Sequence, residues 1–516
     1  MDLKVNKETF STSESVLDTG TEQAVELDYI LPDYYPDIFR VLKCRLLPRI
    51  VSHSINGEKL SFDLVAVIRV MYLSEGSNAV SCIEQRLNFT RSVDMTAPAV
   101  NPAVTVTPRA DYVNCRVVNQ RRLDVRGAVS TRVKITGERQ TNVVSDAFGA
   151  NIQLKKTAIS VPSKRLTAAK RVTVIDELEL GASKPPVKSV LRSDCTVIPG
   201  EQKIISGKLV TKGEANVAML YASINEDGTD GLEAVKFTIP FSQIIDIEGI
   251  DDSFESIADI TPTSCDITAK GDGVSTELEC ELVLLVNCTA VKFAKADVVT
   301  DSYSTSNEVS NTVCDAKLER MPVPINENHT VKQTLTYQEG DISAVCDAWS
   351  DVSNVTGRFS FDTGEFVISG NVSFCVMAKN TAGCPIYLEG DTAFEHIIKT
   401  DSAAQGSTID PKVCVASCTY NLVGAGTVEV KAELRIGGYL YEAAQSKLIS
   451  DISVDSESKK DQASPYALKL YFGDKNEDIW DIAKKYATSV AAILEENDLN
   501  TATLPDKGMI LIPLVQ

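Results

Sequence analysis

An internal repeat of about 150 residues constrains this chain more than any local motif, because each copy must be one folding unit of the same topology. The first anchor is Leu31-Pro32-Asp33-Tyr34-Tyr35-Pro36-Asp37-Ile38, followed by Val41-Leu42. At an offset of 149 residues Pro36 maps to Pro185, Ile38 to Val187, Val41 to Val190 and Leu42 to Leu191. A further 155 residues on, Val187 maps to Ile342 and Val190 to Val345, and the proline is lost.

The second anchor is an alternating strand. Val428-Glu429-Val430-Lys431-Ala432-Glu433-Leu434-Arg435-Ile436 places apolar and charged residues on opposite faces, the period of a half-buried strand. Its counterparts are Leu278, Cys280, Leu282 and Leu284, and earlier Leu123, Val125, Gly127 and Val129. The apolar face is kept while the charged face changes, which points to a packed core rather than a shared charged ligand. The third anchor closes each copy: Val144-Ser145-Asp146, Val299-Thr300-Asp301 and Ile449-Ser450-Asp451.

Within each copy a hairpin precedes the alternating strand. The turns are Ser74-Glu75-Gly76-Ser77-Asn78, Asn225-Glu226-Asp227-Gly228 and Asn380-Thr381-Ala382-Gly383, where Gly and Asn supply positive φ. The expected fold is mainly β: three tandem antiparallel, sandwich-like repeats over 1–172 (with an N-terminal extension), 173–330 and 331–458. Abundant Val, Ile and Thr with only 6% aromatics agree with strands.

After a polar linker at 459–465 the pattern changes. Tyr466–Tyr471 reads as a strand, Ile479–Tyr486 as a helix with Ile479, Ile482, Ala483 and Tyr486 on one face, and Val490–Leu494 as a second helix behind a Thr488-Ser489 cap. Gly508–Pro513 reads as a closing strand, so 466–516 is expected to be a small βααβ module.

The residues exclude several functions. The start Met1–Lys7 has no apolar segment behind it, so no secretory signal is expected, and no apolar stretch is long enough for a membrane span. The thirteen cysteines include no CxxC pair, which favours reduced, mostly buried thiols over disulfides or a metal site. His53, His329 and His396 sit at unrelated repeat positions, and no nucleotide-binding or hydrolase motif is present. No catalytic residue, metal or cofactor is expected. The net charge is −20, yet Arg109–Arg171 holds fourteen Lys or Arg against four Asp or Glu. That segment is either a solvated basic face or a docking surface for an acidic partner. With Tyr112 its one aromatic before Phe148, it does not suit nucleic acid.

On the Leu31–Ile38 and Val41-Leu42 motif, the repeat resembles the SPOCS domain of spore-forming clostridia, over roughly 20–458. The C-terminal module, on Ile479–Tyr486, the Asn497–Leu499 step and Gly508–Pro513, resembles LysM. The combination is similar to the SipL-type spore-coat morphogenetic proteins. That resemblance implies a cytoplasmic protein of the mother cell, at the forespore surface, that binds a coat-base morphogenetic ATPase through LysM. LysM modules in general bind N-acetylglucosamine polymers through two loops. Here the first loop holds Asn476-Glu477-Asp478 where Gly-Asp-Thr or Gly-Asp-Ser is usual, which shifts the expectation from peptidoglycan to a protein partner. The candidate binding residues are Asn476, Glu477, Asp478, Ile479, Trp480, Lys484, Asn500, Thr501 and Leu504. Trp480 and Lys484, at i and i+4, form either a partner contact or, for Trp480, a seal on the core. A cortex or cell-wall glycan binder and a polymerising spore-surface protein stay open as alternatives.

Overall fold

In the computed structural model the described residues are 3–76, 79–225, 228–271, 274–318, 320–360, 362–399, 407–442, 444–460 and 468–513. Ser77, Asn78, Glu226 and Asp227 of the expected turns, and most of the expected linker, lie outside them.

Period-2 alternation decides which face of each strand is buried. Val428, Val430, Ala432, Leu434 and Ile436 are all fully buried, as are Leu278, Cys280, Leu282 and Leu284. Leu123, Val125 and Val129 match them. Gly127 breaks the apolar row for a steric reason: a Cβ there would lie 2.7 Å from the Tyr112 carbonyl oxygen and 3.0 Å from Leu46 Cδ2.

The first unit contains β1 (Lys4–Ile30), β2 (Ile38–Asn56), β3 (Lys59–Ser74), β4 (Val80–Asp94), β5 (Val100–Asn119) and β6 (Arg122–Phe148). They form two three-stranded antiparallel sheets, β1-β6-β5 and β2-β3-β4. One core holds Val25, Leu123, Val125 and Val133 from the first sheet and Leu46, Leu64, Ile68 and Tyr72 from the second. The second unit repeats this order with β7 (Ile152–Glu179), β8 (Val187–Ile205), β9 (Lys208–Ile224), β10 (Asp230–Asp246), β11 (Phe254–Ala269) and β12 (Glu277–Ser304). Its sheets are β11-β12-β7 and β10-β9-β8.

In the third unit the long outer strands are each split in two. It contains β13 (Asn307–Leu318), β14 (Val323–Thr336), β15 (Ile342–Ser360), β16 (Glu365–Asn380), β17 (Pro385–Ile398), β18 (Thr408–Gly424), β19 (Thr427–Tyr441) and β20 (Ala444–Lys459). The sheets are β14-β19-β18, β15-β16-β17 and the pair β13-β20. Pairing therefore breaks between units at 149–151 and at 305–306. The expected boundaries at 172/173 and 330/331 fall inside β7 and β14, because the first strand of each unit is longer than its alternating pattern suggests.

The first and third anchors acquire physical meaning here. Bulges interrupt β2 at Ile38/Arg40 and Val41/Lys43, β8 at Val187/Ser189 and Val190/Arg192, and β15 at Ile342/Ala344 and Val345/Asp347. The same two extra residues recur in all three units, so Lys43, Arg192 and Asp347 are equivalent positions. In the first two units a tyrosine of the central strand closes the entry loop. Tyr72 Oη donates to the Pro36 carbonyl at 3.0 Å, and Tyr221 Oη to the Pro185 carbonyl at 3.0 Å. In the third unit, which lacks the proline, the tyrosine position is Ala378.

The third anchor is a bulge as well. Ser145, Thr300 and Ser450 are the extra residues. Their hydroxyls donate to the facing carbonyls of Asn6, Lys155 and Thr312 at 3.4, 3.2 and 3.1 Å. These bulges lie in three two-stranded ribbons that extend beyond the sheets: the ends of β1 and β6, of β7 and β12, and β13 with β20. The ribbons share two small cores. Val143, Val298 and Leu448 meet in one, and Val144, Val299 and Ile449 in the other. At the opposite side Leu42, Met71, Leu191, Leu220, Trp349 and Met377 from all three units join in a single cluster. The three units thus pack about a shared centre at equivalent positions, rather than as beads on a string.

That centre carries buried charge. Arg45 donates to Asp194 at 3.0 Å and to Asp351 at 2.6 Å, and Arg192 bonds both Asp194 and Asp347. Burial opposes ionisation of Asp194, but Arg45 and Arg192 outweigh it and hold the carboxyl well below its ordinary range. The basic stretch of the first unit is neutralised locally. Arg122, Arg132 and Arg139 on β6 pair with Asp28, Asp18 and Glu14 on the adjacent β1.

Candidate functional site

The C-terminal module consists of β21 (Leu468–Gly473), α1 (Ile479–Lys485), α2 (Val490–Glu496) and β22 (Gly508–Pro513), with β21 and β22 paired antiparallel. Asp478 caps α1 by accepting from Trp480 N at 2.9 Å, and Ser489 caps α2 by accepting from Ala492 N at 3.1 Å. Ile479, Ile482, Ala483, Ile493, Leu504 and Ile512 form the core.

The two candidate loops are tied to one another. Asn476 N donates to the Leu504 carbonyl at 2.9 Å, Leu504 N to the Glu477 carbonyl at 2.9 Å, and Ile479 N to the Ala502 carbonyl at 3.0 Å. Asn476 adopts φ +66°, a left-handed conformation that asparagine tolerates where a glycine would be at ease. Glu477 is turned inward: its carboxylate accepts from Tyr471 Oη at 2.6 Å and from Asp474 N at 3.0 Å. That bond pushes the Tyr471 phenol up to about 12.

Besides the inward-turned Glu477, the other eight candidate residues separate into three groups. Ile479 and Leu504 are core. Asn476, Asn500 and Thr501 are exposed at the loop tips. Asp478, Trp480 and Lys484 face the second unit's ribbon. Trp480 Nε1 donates to Asp301 Oδ2 at 2.7 Å, and Lys484 Nζ lies 2.7 Å from both Asp301 oxygens. Lys155 Nζ lies 2.5 Å from Asp478 Oδ2. Burial disfavours the Asp478 carboxylate, but Lys155 and the Trp480 N–H more than compensate and lower its pKa. Tyr303 completes the contact. Its ring meets Trp480 edge-on at 4.9 Å, its hydroxyl donates to the Thr488 carbonyl at 2.7 Å, and it belongs to the module's core. Burial pushes the Tyr303 phenol well up.

The Trp480 indole is 7% exposed, and its polar edge is spent on the chain's own Asp301. Sequence reasoning missed Asp301, Tyr303 and Lys155. The available signal was the aspartate of the third anchor, common to all three copies.

The histidines are closer together than their repeat positions suggest. His329 on β14 and His396 on β17 meet Nδ1 to Nδ1 at 3.3 Å, and His396 Nε2 lies 2.7 Å from Glu327. His53 lies apart on β2. Among the described residues no group of three or more His, Cys, Asp or Glu is arranged to hold a metal ion, and no helix is long and apolar enough to cross a membrane. The thirteen cysteines are free thiols.

No curated protein and no solved structure matches the chain. Residues 186–270 match the family model described as the SipL, SPOCS domain. The matched span opens at Pro186, before β8, and runs through β11; it leaves out β7 and β12, which form the ribbon under the C-terminal module. Over these residues, within its second six-stranded unit, the chain is thus similar to the SPOCS domain of the SipL family model.

Proposed function

We propose that this chain is a non-catalytic assembly adaptor of the spore envelope. In this reading the units at 4–148, 152–304 and 307–459 are three SPOCS-type sandwich repeats, and the C-terminal module is a LysM-like domain. The module binds a coat-base morphogenetic ATPase in the mother-cell cytoplasm and helps the coat encase the forespore. The match over 186–270 carries the reading. It is supported by the recurrence of the same strand order and bulges in the other two units. The inward-turned Glu477 and the helix-capping Asp478 support a protein rather than a sugar partner, because the first loop is filled by its own carboxylates.

One observation favours a second reading. Asn476, Asn500 and Thr501 stand exposed at the loop tips and offer neutral hydrogen-bonding groups of the kind that a peptidoglycan chain needs. The test compares the full chain with one ended at Lys460. Each is incubated with the purified ATPase and with insoluble peptidoglycan. Binding of the full chain alone to the ATPase, with none to the glycan, supports the adaptor. Retention on glycan alone overturns it.

A further inference from the structure

The three ribbons carry an aspartate at the same place: Asp146, Asp301 and Asp451. Two of them receive a lysine from a neighbouring ribbon. Lys156 of the second ribbon lies 2.9 Å from Asp146 of the first, and Lys7 of the first lies 2.9 Å from Asp451 of the third. Lys7 and Lys156 are equivalent, since each faces the residue before the bulge, Val144 and Val299. By the same rule the third ribbon should supply Asp301 with a lysine from position 313, opposite Ile449. That position is Val313, which is 53% exposed. The ring of ion pairs is therefore open at Asp301 alone, and the C-terminal module closes it with Trp480 Nε1 and Lys484 Nζ.

We propose that the C-terminal module is a cis latch: Asp301, left without its ribbon lysine, holds the module on the second ribbon and closes its Trp480–Lys484 face. The missing lysine explains why the module sits on this ribbon and not on either of the others. Tyr303 adds shape, since its counterparts two residues past the aspartate are Phe148 and Ser453. Lys155 adds a second charged contact, at Asp478. A partner that needs the closed face must displace Asp301, whereas a ligand of the loop tips at Asn476 and Thr501 need not. That the closed face serves a protein partner rests on the function proposed above; the latch itself does not.

The test uses the full chain and two single variants. Asp301→Asn keeps an acceptor for Ser302 N, which bonds Asp301 Oδ1 at 2.9 Å, but removes the charge that Lys484 meets. Val313→Lys restores the ribbon lysine at an exposed position and competes for Asp301 without touching the module. Accessibility is read as acrylamide quenching of tryptophan fluorescence, with Trp349 as a buried background, and as trypsin cleavage after Lys460. Both variants should expose Trp480 and speed that cleavage roughly tenfold, with the unfolding midpoint of the β units unchanged. Unchanged quenching and cleavage in both variants overturns the latch. Failure of the ATPase to bind wild type and variants alike would refute the adaptor reading and leave these two readouts where they are.

Discussion

Arg192 and Asp347 occupy the same strand position in consecutive units and bond one another across the shared centre at 2.9 Å, both almost fully buried. The pair is a registry device: it forms only when the second and third units meet with equivalent strands facing. Burial opposes the Arg192 charge, and Asp194 and Asp347 together raise its pKa above the ordinary value. Asp347→Asn leaves a buried guanidinium with one carboxylate fewer, and should destabilise the chain by about 3 kcal/mol in urea unfolding. Replacing Arg192 and Asp347 together by Met and Leu should recover only part of that loss, since Asp194 then loses Arg192 and keeps Arg45.

The tyrosine that closes each entry loop offers a matched pair. Tyr72→Phe and Tyr221→Phe each remove one hydrogen bond, to the carbonyls of Pro36 and Pro185. Each should cost about 1 kcal/mol, and the two costs should add because the sites lie in separate units. A double variant whose unfolding free energy departs from the sum would mean that the loops are coupled.

Acid should weaken the third unit. Burial and the neighbouring His396 hold His329 below the ordinary imidazole value. A lowered folded pKa means that the unfolded chain binds the proton more readily, so stability falls as pH drops below about 6.5 and levels off above it. The Nδ1–Nδ1 contact adds to this, because two protonated rings would set N–H against N–H. His329→Gln should flatten the dependence of the unfolding midpoint on pH in that range. An unchanged slope in the variant would place the effect elsewhere.

The thiols should differ sharply in reactivity. Burial pushes Cys82 and Cys375 up to about 12, and Cys346 and Cys418 up to about 11, so the thiolate is scarce in each. Cys115 moves the other way, because Cys44 donates a hydrogen bond to it. Brief alkylation of the native chain, read by peptide mass spectrometry, should label Cys115 ahead of Cys375. The reverse order would contradict the Cys44–Cys115 contact.

Much of the fold was legible in the chain because burial in a strand is a local property. Period-2 alternation around Leu278, Leu282, Val430 and Leu434 names the buried face without reference to any distant residue. The recurrence of Ile38, Val187 and Ile342 marked equivalent strands, and all three precede the same bulge. The helix cap Ser489 also acts over only three residues. Domain edges were less legible, since β7 and β14 run through the expected breaks. The ribbons bury Val143, Val298 and Leu448 against one another, across three units.

The sequence by itself determined a repeated, mainly β chain ending in a βααβ module, and singled out Trp480 and Lys484. Only the tertiary structure decided what those two residues touch. Asp301 lies 179 residues from Trp480, and the lysine that would have occupied it is missing from a third stretch of chain, at Val313. Local periodicity carries no information about which distant charge goes unpaired; that depends on three ribbons meeting at one place, where each carboxylate takes the nearest available donor.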